Sequence, residues 1–225
     1  MDARQARKKR RQEQTRDEIL AAASGVLDTK GLAKLTLASV ARKLQLTKAA
    51  LYYYFPSKEA LLFELLLAAL LREVEAVEHA LDARPPGAST ALEAMIRGLA
   101  AHHAAHPRDV KLIYLHPQLI TDAAPFDDAM LARIRPVNDR LYGRVAEAVE
   151  AHRDAGELPQ GLPARRLVFL AYTAVVGLST MQGLVGSADR APLIHTNEAL
   201  VDGLVAQFCG HPPSSATSSV LDPLQ

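Results

Sequence analysis

Thr36-Leu-Ala-Ser-Val-Ala-Arg-Lys-Leu-Gln-Leu-Thr-Lys-Ala-Ala-Leu-Tyr-Tyr-Tyr-Phe-Pro-Ser-Lys58 is the stretch on which the fold turns. Thr36 has the chemistry of a helix N-cap, and Leu37, Val40, Ala41 and Leu44 fall on one face of the short helix expected from Leu37 to Leu44. Thr47 caps a second short helix, Lys48 to Tyr54, which Pro56 ends because the residue before proline disfavours the α region. Only Gln45 and Leu46 separate the first helix from the second cap. The two helices must therefore turn sharply against each other, a helix-turn-helix spacing.

The same logic extends outward in both directions. Upstream, Thr15 can cap a helix running to Lys30. Asp17 and Glu18 suit its N-terminal dipole, and Ile19, Leu20, Ala23, Val26 and Leu27 form its apolar stripe. Gly31 stops it as a C-terminal cap. Downstream, Ser57 caps a long helix reaching about Arg84. Its opening run, Leu61 to Leu71, is apolar on almost every side, so it is expected to be buried and to join the N-terminal part to the rest. Pro85-Pro-Gly87 breaks the chain. Further helices are expected at 89–106, 109–120, 127–155, 163–186 and 192–208, punctuated by Pro107, Pro125, Pro159 and Pro192. No strict two-residue alternation is long enough for a strand, so the fold class is all-α. It comprises an N-terminal three-helix helix-turn-helix domain followed by a larger helical domain. The expected organisation is a basic flexible arm at 1–14, the helix-turn-helix domain at 15–58, the second helical domain at 59–210, and a Pro/Ser/Thr-rich disordered tail at 211–225.

Charge divides the chain at the same place. Residues 1–58 carry 13 Lys/Arg against 5 Asp/Glu, a net +8, whereas residues 59–225 carry 13 against 20, a net −7. A basic head on an acidic body is the electrostatic footprint of a nucleic-acid-binding module attached to something that binds no nucleic acid. With 49% hydrophobic and 23% charged residues the composition is that of a globular protein. The single Cys209 forms no internal disulfide, and no apolar run follows the basic N-terminus, so a reducing cytoplasm is the expected location. Residues 167–186 carry no charge over about the length of a bilayer-spanning helix. A small membrane-associated protein is therefore a rival reading.

Gly31-Leu-Ala-Lys-Leu-Thr-Leu-Ala-Ser-Val-Ala-Arg-Lys-Leu-Gln-Leu-Thr-Lys-Ala-Ala-Leu-Tyr-Tyr-Tyr-Phe-Pro-Ser-Lys-Glu-Ala-Leu61 resembles the DNA-binding signature of the tetracycline-repressor (TetR) family. The resemblance spans about residues 15 to 65. It rests most on Thr36, Val40-Ala41, Leu51-Tyr52, Phe55 and Ser57-Lys-Glu59. It implies that Thr47, Lys48, Ala49 and Tyr53 face bases or nearby backbone. Thr36, Tyr52 and Lys58 would contact phosphates, and Leu51 and Phe55 would be core. Chemistry agrees: a helix in the major groove needs short or flat side chains and donors near its N-terminus. Two residues depart from the family pattern. Gln45 occupies the turn where glycine is usual, and a left-handed backbone there costs a residue with a Cβ about 1 kcal/mol. Ala49 replaces a glycine and adds a methyl able to touch a thymine methyl. Residues 4–11 are expected either to reach the minor groove or DNA backbone as a flexible arm or to be a solubilising tail.

The resemblance further implies that the N-terminal domain binds DNA and that 59–210 is a ligand-binding and dimerisation domain, which binds a small effector and dimerises through its last two long helices, near 163–186 and 192–208. Leu167, Leu170, Val175, Leu178, Leu200, Leu204 and Phe208 are the apolar residues there that suit a twofold four-helix interface. Candidate ligand-binding residues are Met95, His102, Tyr114, Phe126, Met130, Tyr172, Met181 and Gln182, with His103 and His116 beside them. His102 and His106 have metal-ligand spacing but no cysteine to complete a set, so no metal and no cofactor is expected. No nucleophile elbow, phosphate-cradling loop or metalloprotease helix is present, so no catalytic residue is assigned. The expected partners are a palindromic double-stranded DNA operator, a second copy of the chain, and a small, largely apolar effector. The alternative is a helical DNA-binding protein without an effector.

Overall fold

The computed structural model describes residues 3–84, 87–115, 127–152, 162–185 and 196–210. Among them every regular element is helical. In chain order these are α1 (Ala3–Lys30), a 3₁₀ turn (Leu32–Lys34), α2 (Leu37–Lys43), α3 (Lys48–Tyr54), α4 (Lys58–Asp82), α5 (Ala88–Ala105), α6 (Pro107–Val110), a π turn (Lys111–Leu115), α7 (Asp128–Ala151), α8 (Ala164–Val185) and α9 (Asn197–Cys209). His116, Phe126 and the tail 211–225 lie outside the described residues. No helix among the described residues is long and apolar enough to cross a membrane, the helix at Ala164–Val185 included. The chain divides into two compact units, residues 1–69 and 70–225, and α4 supplies its first turns to one and its remainder to the other.

The first unit corrects one expectation. The basic segment 4–11 is not a flexible arm but the opening of α1, which runs unbroken from Ala3. No glycine or proline interrupts residues 3–24, and Arg, Lys and Gln are good helix formers. Thr15, expected as a cap, instead sits mid-helix and donates from Oγ1 back to the Arg11 carbonyl (3.0 Å). Gly31 ends α1 with φ 75°, where a side chain would be strained. The core beneath is built by Ile19, Ala23 and Val26 of α1, Leu35, Leu37 and Val40, Leu51 and Phe55, and Leu61 of α4, all nearly or fully buried. Arg16 lies over the Phe55 ring (5.0 Å) and pairs with Glu64 (2.8 Å).

The α2–α3 turn is a Schellman closure. Leu46 N–H donates to the Ala41 carbonyl (2.9 Å) and Gln45 N–H to that of Arg42 (3.3 Å), with Gln45 in the left-handed region at φ 55°. This is the backbone conformation expected where glycine is usual.

In the second unit α5 is central, packing against α7, α8 and α9. Leu92, Met95, Ile96 and Leu99 of α5 are fully buried, as are Val145 of α7 and Val168 and Val175 of α8. Ion pairs run from Arg84 to Glu93 (3.1 Å), Glu93 to Arg97 (2.7 Å) and Arg97 to Asp202 (2.7 Å), so α9 is tied to α5 by charge as well as packing. Ser89 Oγ donates to the Cys209 carbonyl (3.3 Å). Cys209 itself is buried, and burial pushes its thiol up to about 11. Leu167 and Val175, assigned above to an interface between copies, are buried within this protomer instead, whereas Leu170 is exposed. They occupy the face of α8 that α5 and α7 cover.

Because Gln45 holds a left-handed backbone with its side chain exposed, Gln45→Gly is expected to raise the unfolding free energy by up to about 1 kcal/mol in urea denaturation. A fall would show that the Gln45 side chain contributes more than relief of the backbone.

Candidate nucleic-acid interface and body cluster

Three hydroxyl caps assemble the candidate interface. Thr36 Oγ1 accepts from Ser39 N–H (3.0 Å), and Ser39 Oγ accepts in return from Thr36 N–H (3.0 Å). Thr47 Oγ1 accepts from Ala50 N–H (3.1 Å) and Ser57 Oγ from Ala60 N–H (3.1 Å). A cap of this kind is worth about 0.5–2 kcal/mol. At Thr36 and Thr47 the cap also leaves a hydroxyl hydrogen able to donate outward, whereas Ser57 spends its own on the Glu59 carboxylate.

Leu51 and Phe55, one turn apart, anchor α3 at 0% and 1% exposure. The opposite face is presented outward: Thr47, Lys48 and Ala49 are exposed, as are Tyr52 at 44% and Tyr53 at 70%. Lys48 Nζ lies over the Tyr52 ring (5.6 Å), and Tyr53 packs edge-on against Tyr54. Tyr53 Oη accepts a hydrogen bond from Gln12 Nε2 of α1 (2.9 Å). Lys58 is half-buried, and its Nζ donates to the Leu32 carbonyl (3.3 Å). Thr36, Lys48, Tyr52 and Lys58 line one groove of about 450 Å³. The structure thus brings four of the seven expected DNA-contact residues to one surface depression. Thr47, Ala49 and Tyr53 stand beside it on α3.

The second unit contains a buried polar cluster. Glu73, 1% exposed on α4, accepts from Tyr114 Oη at both oxygens (2.8 and 2.9 Å) and from Tyr172 Oη (2.8 Å). His103 Nε2 faces the same carboxylate at 3.0 Å, and its Nδ1 meets Ser179 Oγ at 2.8 Å. The phenol oxygens of Tyr114 and Tyr172 also touch. Burial raises both phenols well above their ordinary range, and the Glu73 carboxylate adds to the shift. Burial likewise pushes Tyr142, edge-on to Tyr172 (5.1 Å), up to about 12. Among the described residues the hydrogen-bond partners of the Glu73 carboxylate are two phenols and an imidazole.

The family model of bacterial regulatory proteins of the tetR family matches residues 19–65, the segment just built. Residues 19–65 are thus similar to the DNA-binding head of regulators of that family. The HTH-type transcriptional regulator EthR of Mycolicibacterium smegmatis is 23% identical over 146 residues. That alignment covers 65% of this chain and 64% of EthR, so the chain matches under two thirds of that relative's length. A putative tetR family transcription regulator from Shewanella sp. PV-4 superposes with a TM-score of 0.59 at 18% identity, covering 86% of this chain and 97% of that one. The fatty acid degradation regulator FadR from Bacillus halodurans gives a TM-score of 0.63 at 16% identity, covering 86% and 94%. The tetR-type fold therefore extends well beyond the matched head.

Within the body the expected ligand residues scatter. Tyr114 and Tyr172 share Glu73. Met95 is fully buried in the core, and Met130 and Gln182 are half-buried. Met181 is 54% exposed. His102 is buried and stacks on His106 (4.5 Å between centroids), and its Nε2, 3.9 Å from Asp109 Oδ2, has no hydrogen-bond partner among the described residues. Glu73 was missed by the sequence reading. The available signal was its place three residues after Leu70 and four before Val77, where the apolar stripe of α4 calls for a hydrophobe.

Burial, then the neighbouring His106, lowers His102 below the ordinary imidazole value of 6.5, with Glu73 and Asp109 opposing. The unfolded chain takes up the proton first, so the contribution of His102 is whole above about pH 6.5 and is lost as pH falls toward the lowered folded value. In denaturation series from pH 7.5 to 5.5, His102→Phe is expected to lose less stability than the unmodified protein. Equal losses would remove His102 as the source.

Proposed function

We propose that this chain is a ligand-responsive transcriptional repressor, acting in the cytoplasm as a homodimer on a palindromic operator. The carrying observation is α3. Capped by Thr47 and anchored by Leu51 and Phe55, it turns Lys48, Ala49, Tyr52 and Tyr53 to solvent in a head of net charge +8. A short capped helix with donors at its N-terminus and flat rings outward has the dimensions and chemistry for the major groove. In this reading Thr47, Lys48, Ala49 and Tyr53 meet base edges or the backbone beside them, and Thr36, Tyr52 and Lys58 meet phosphates.

The dimer is supported by α8 and α9. Leu170, Thr173, Gly177 and Met181 recur at three- and four-residue spacing along one exposed face of α8. A Cβ added at Gly177, or at the exposed Gly203 of α9, would meet no atom within 4 Å. Such faces let a second copy approach closely. A twofold dimer then places two α3 helices on successive major-groove turns, hence the palindrome.

The effector reading is supported by the Glu73 cluster. A buried carboxylate held by two phenols and an imidazole suits an apolar molecule carrying one hydrogen-bonding group. α4 carries Glu73 and also contributes Lys58 and Leu61 to the head, so displacement of this one helix couples the two units.

Selection of binding sites from random DNA tests the head. Lys48→Ala and Tyr53→Ala are expected to change the preferred motif, whereas Lys58→Ala weakens binding about equally on all sequences. The same motif in all three variants would refute the assignment. For the body, compounds that raise the melting temperature of the purified protein are titrated into its complex with the selected duplex. Operator affinity is expected to fall by about 5- to 150-fold, and Glu73→Gln to blunt that response. Saturation by such compounds without any change in operator affinity would favour the reading without an effector.

A further inference from the structure

One hydroxyl of the second unit is held in a way its own helix does not require. Inside a helix a serine or threonine hydroxyl commonly donates back to a carbonyl three or four residues earlier. Thr173 of α8 does so to Leu170 (2.9 Å) and Thr180 to Val176 (2.9 Å). Ser179 instead turns its Oγ to His103 Nδ1 of α5 at 2.8 Å, and the other ring nitrogen, Nε2, stands 3.0 Å from Glu73 Oε2 of α4. The partners fix the tautomer. A carboxylate oxygen only accepts, so in the neutral ring Nε2 carries the proton and Nδ1 keeps its lone pair. Nδ1 therefore accepts from the Ser179 hydroxyl. Tyr114 and Tyr172 donate to the same carboxylate, and Tyr114 packs edge-on against the imidazole (5.9 Å between centroids), so the carboxylate and the ring are held from several sides. Glu73 and His103 are buried, whereas Ser179 is half-buried. The hydroxyl is the end of the series that a small molecule can reach.

We propose that Ser179 is an acyl-accepting nucleophile, with His103 as its general base and Glu73 orienting that base, and that it takes acyl groups from small, largely apolar esters with a readily departing alcohol. A hydroxyl within hydrogen-bond reach of a base that a third group orients is the arrangement covalent acyl transfer needs. The step balances within these groups. Ser179 Oγ bonds to the acyl carbon as its proton passes to His103 Nδ1. The bond from that carbon to the alcohol oxygen breaks, and Nδ1 returns the proton to the departing oxygen. Ser179 is left as an ester, and Glu73 faces the positive charge that the ring carries in between. The helix restricts the substrate class. Ser179 lies inside α8, where backbone N–H groups are committed to carbonyls one turn back and none is spare for the oxygen that gains charge on the acyl carbon. An activated ester needs that help least. Its apolar part would lie along Val176 and Gln182, half-buried three residues either side of Ser179 on the same flank. This goes beyond the effector reading, which requires only reversible hydrogen bonding at Glu73 and stands if Ser179 proves inert.

The test uses the full chain, incubated with p-nitrophenyl butyrate and, separately, with a fluorophosphonate, and locates the modified peptides by mass spectrometry. Both reagents are expected to label Ser179, with p-nitrophenolate released as the butyryl label appears. His103→Gln is expected to slow labelling by about 100- to 10,000-fold, the usual share of a general base. Glu73→Gln, which no longer fixes the tautomer, is expected to slow it as well. A second measurement does not depend on ester chemistry. In Ser179→Cys the thiol meets the same base, so its alkylation by iodoacetamide at pH 7 is expected to be about tenfold faster than in Ala104→Cys, and the advantage is lost on adding His103→Gln or Glu73→Gln. Ala104 is exposed on α5, and Cys209 adds little background because burial pushes its thiol up to about 11. Melting temperature and far-UV circular dichroism establish that each variant is folded. Where a His103 or Glu73 variant does not fold, the comparison between the two single cysteine variants still decides. Ser179 unlabelled by both reagents, or labelled as fast in His103→Gln or Glu73→Gln, overturns the inference. So does a thiol in Ser179→Cys no more reactive than the one in Ala104→Cys, which would leave the three groups as a packing arrangement.

Discussion

A helix of seven residues does not hold itself together in water, because closing its first turn orders several dihedral angles for one hydrogen bond and too few bonds follow to offset that. α3 is such a helix, and everything it presents outward depends on what holds it inward. Leu51 and Phe55 supply the burial, Thr47 satisfies a leading amide, and the Schellman closure at Gln45 aims the helix away from α2. Arg16 and Glu64 then close over Phe55 from α1 and α4. The recognition surface is thus the reverse side of a small hydrophobic anchor. The three tyrosines follow from that: with Leu51 and Phe55 committed to the core, the positions between them rotate outward.

Elements governed by local chemistry were legible from sequence. The caps at Thr36, Thr47 and Ser57, the stop at Gly31 and the left-handed turn at Gln45 each depend on residues within one turn of one another, so a linear reading finds them. The extension of α1 to Ala3 was not legible, because an unbroken run of good helix formers without an apolar stripe looks the same whether solvated coil or helix. Pairings over long sequence separation were hidden altogether. Nothing near residue 73 announces that Tyr114, Tyr172 and His103 converge on it. Likewise, the apolar residues of α8 do not declare which of them face the protomer's own core and which face away.

The two units solve opposite electrostatic problems. The head concentrates cations on its surface, where water and salt moderate their repulsion and a polyanion can replace both. The body is acidic overall and places one carboxylate where water does not reach, compensated by hydrogen bonds from phenols and an imidazole. Desolvating a carboxylate is costly, and a single missing donor there would cost more than a surface ion pair contributes. The Glu73 cluster is therefore an all-or-none arrangement: α4, α5, the π turn and α8 must be in register for it to be satisfied.

The chain has a single thiol, and it is sealed in the body with its ionisation pushed up to about 11. The thiolate is the species that reacts with alkylating and disulfide reagents, so at neutral pH the folded protein is chemically silent toward them. A cysteine introduced on the exposed face of α8 or on α3 would be the one reactive handle per chain, able to carry a spin label or fluorophore without first removing the native residue. Conversely, slow modification of Cys209 itself would count the molecules in which α9 has come away from α5.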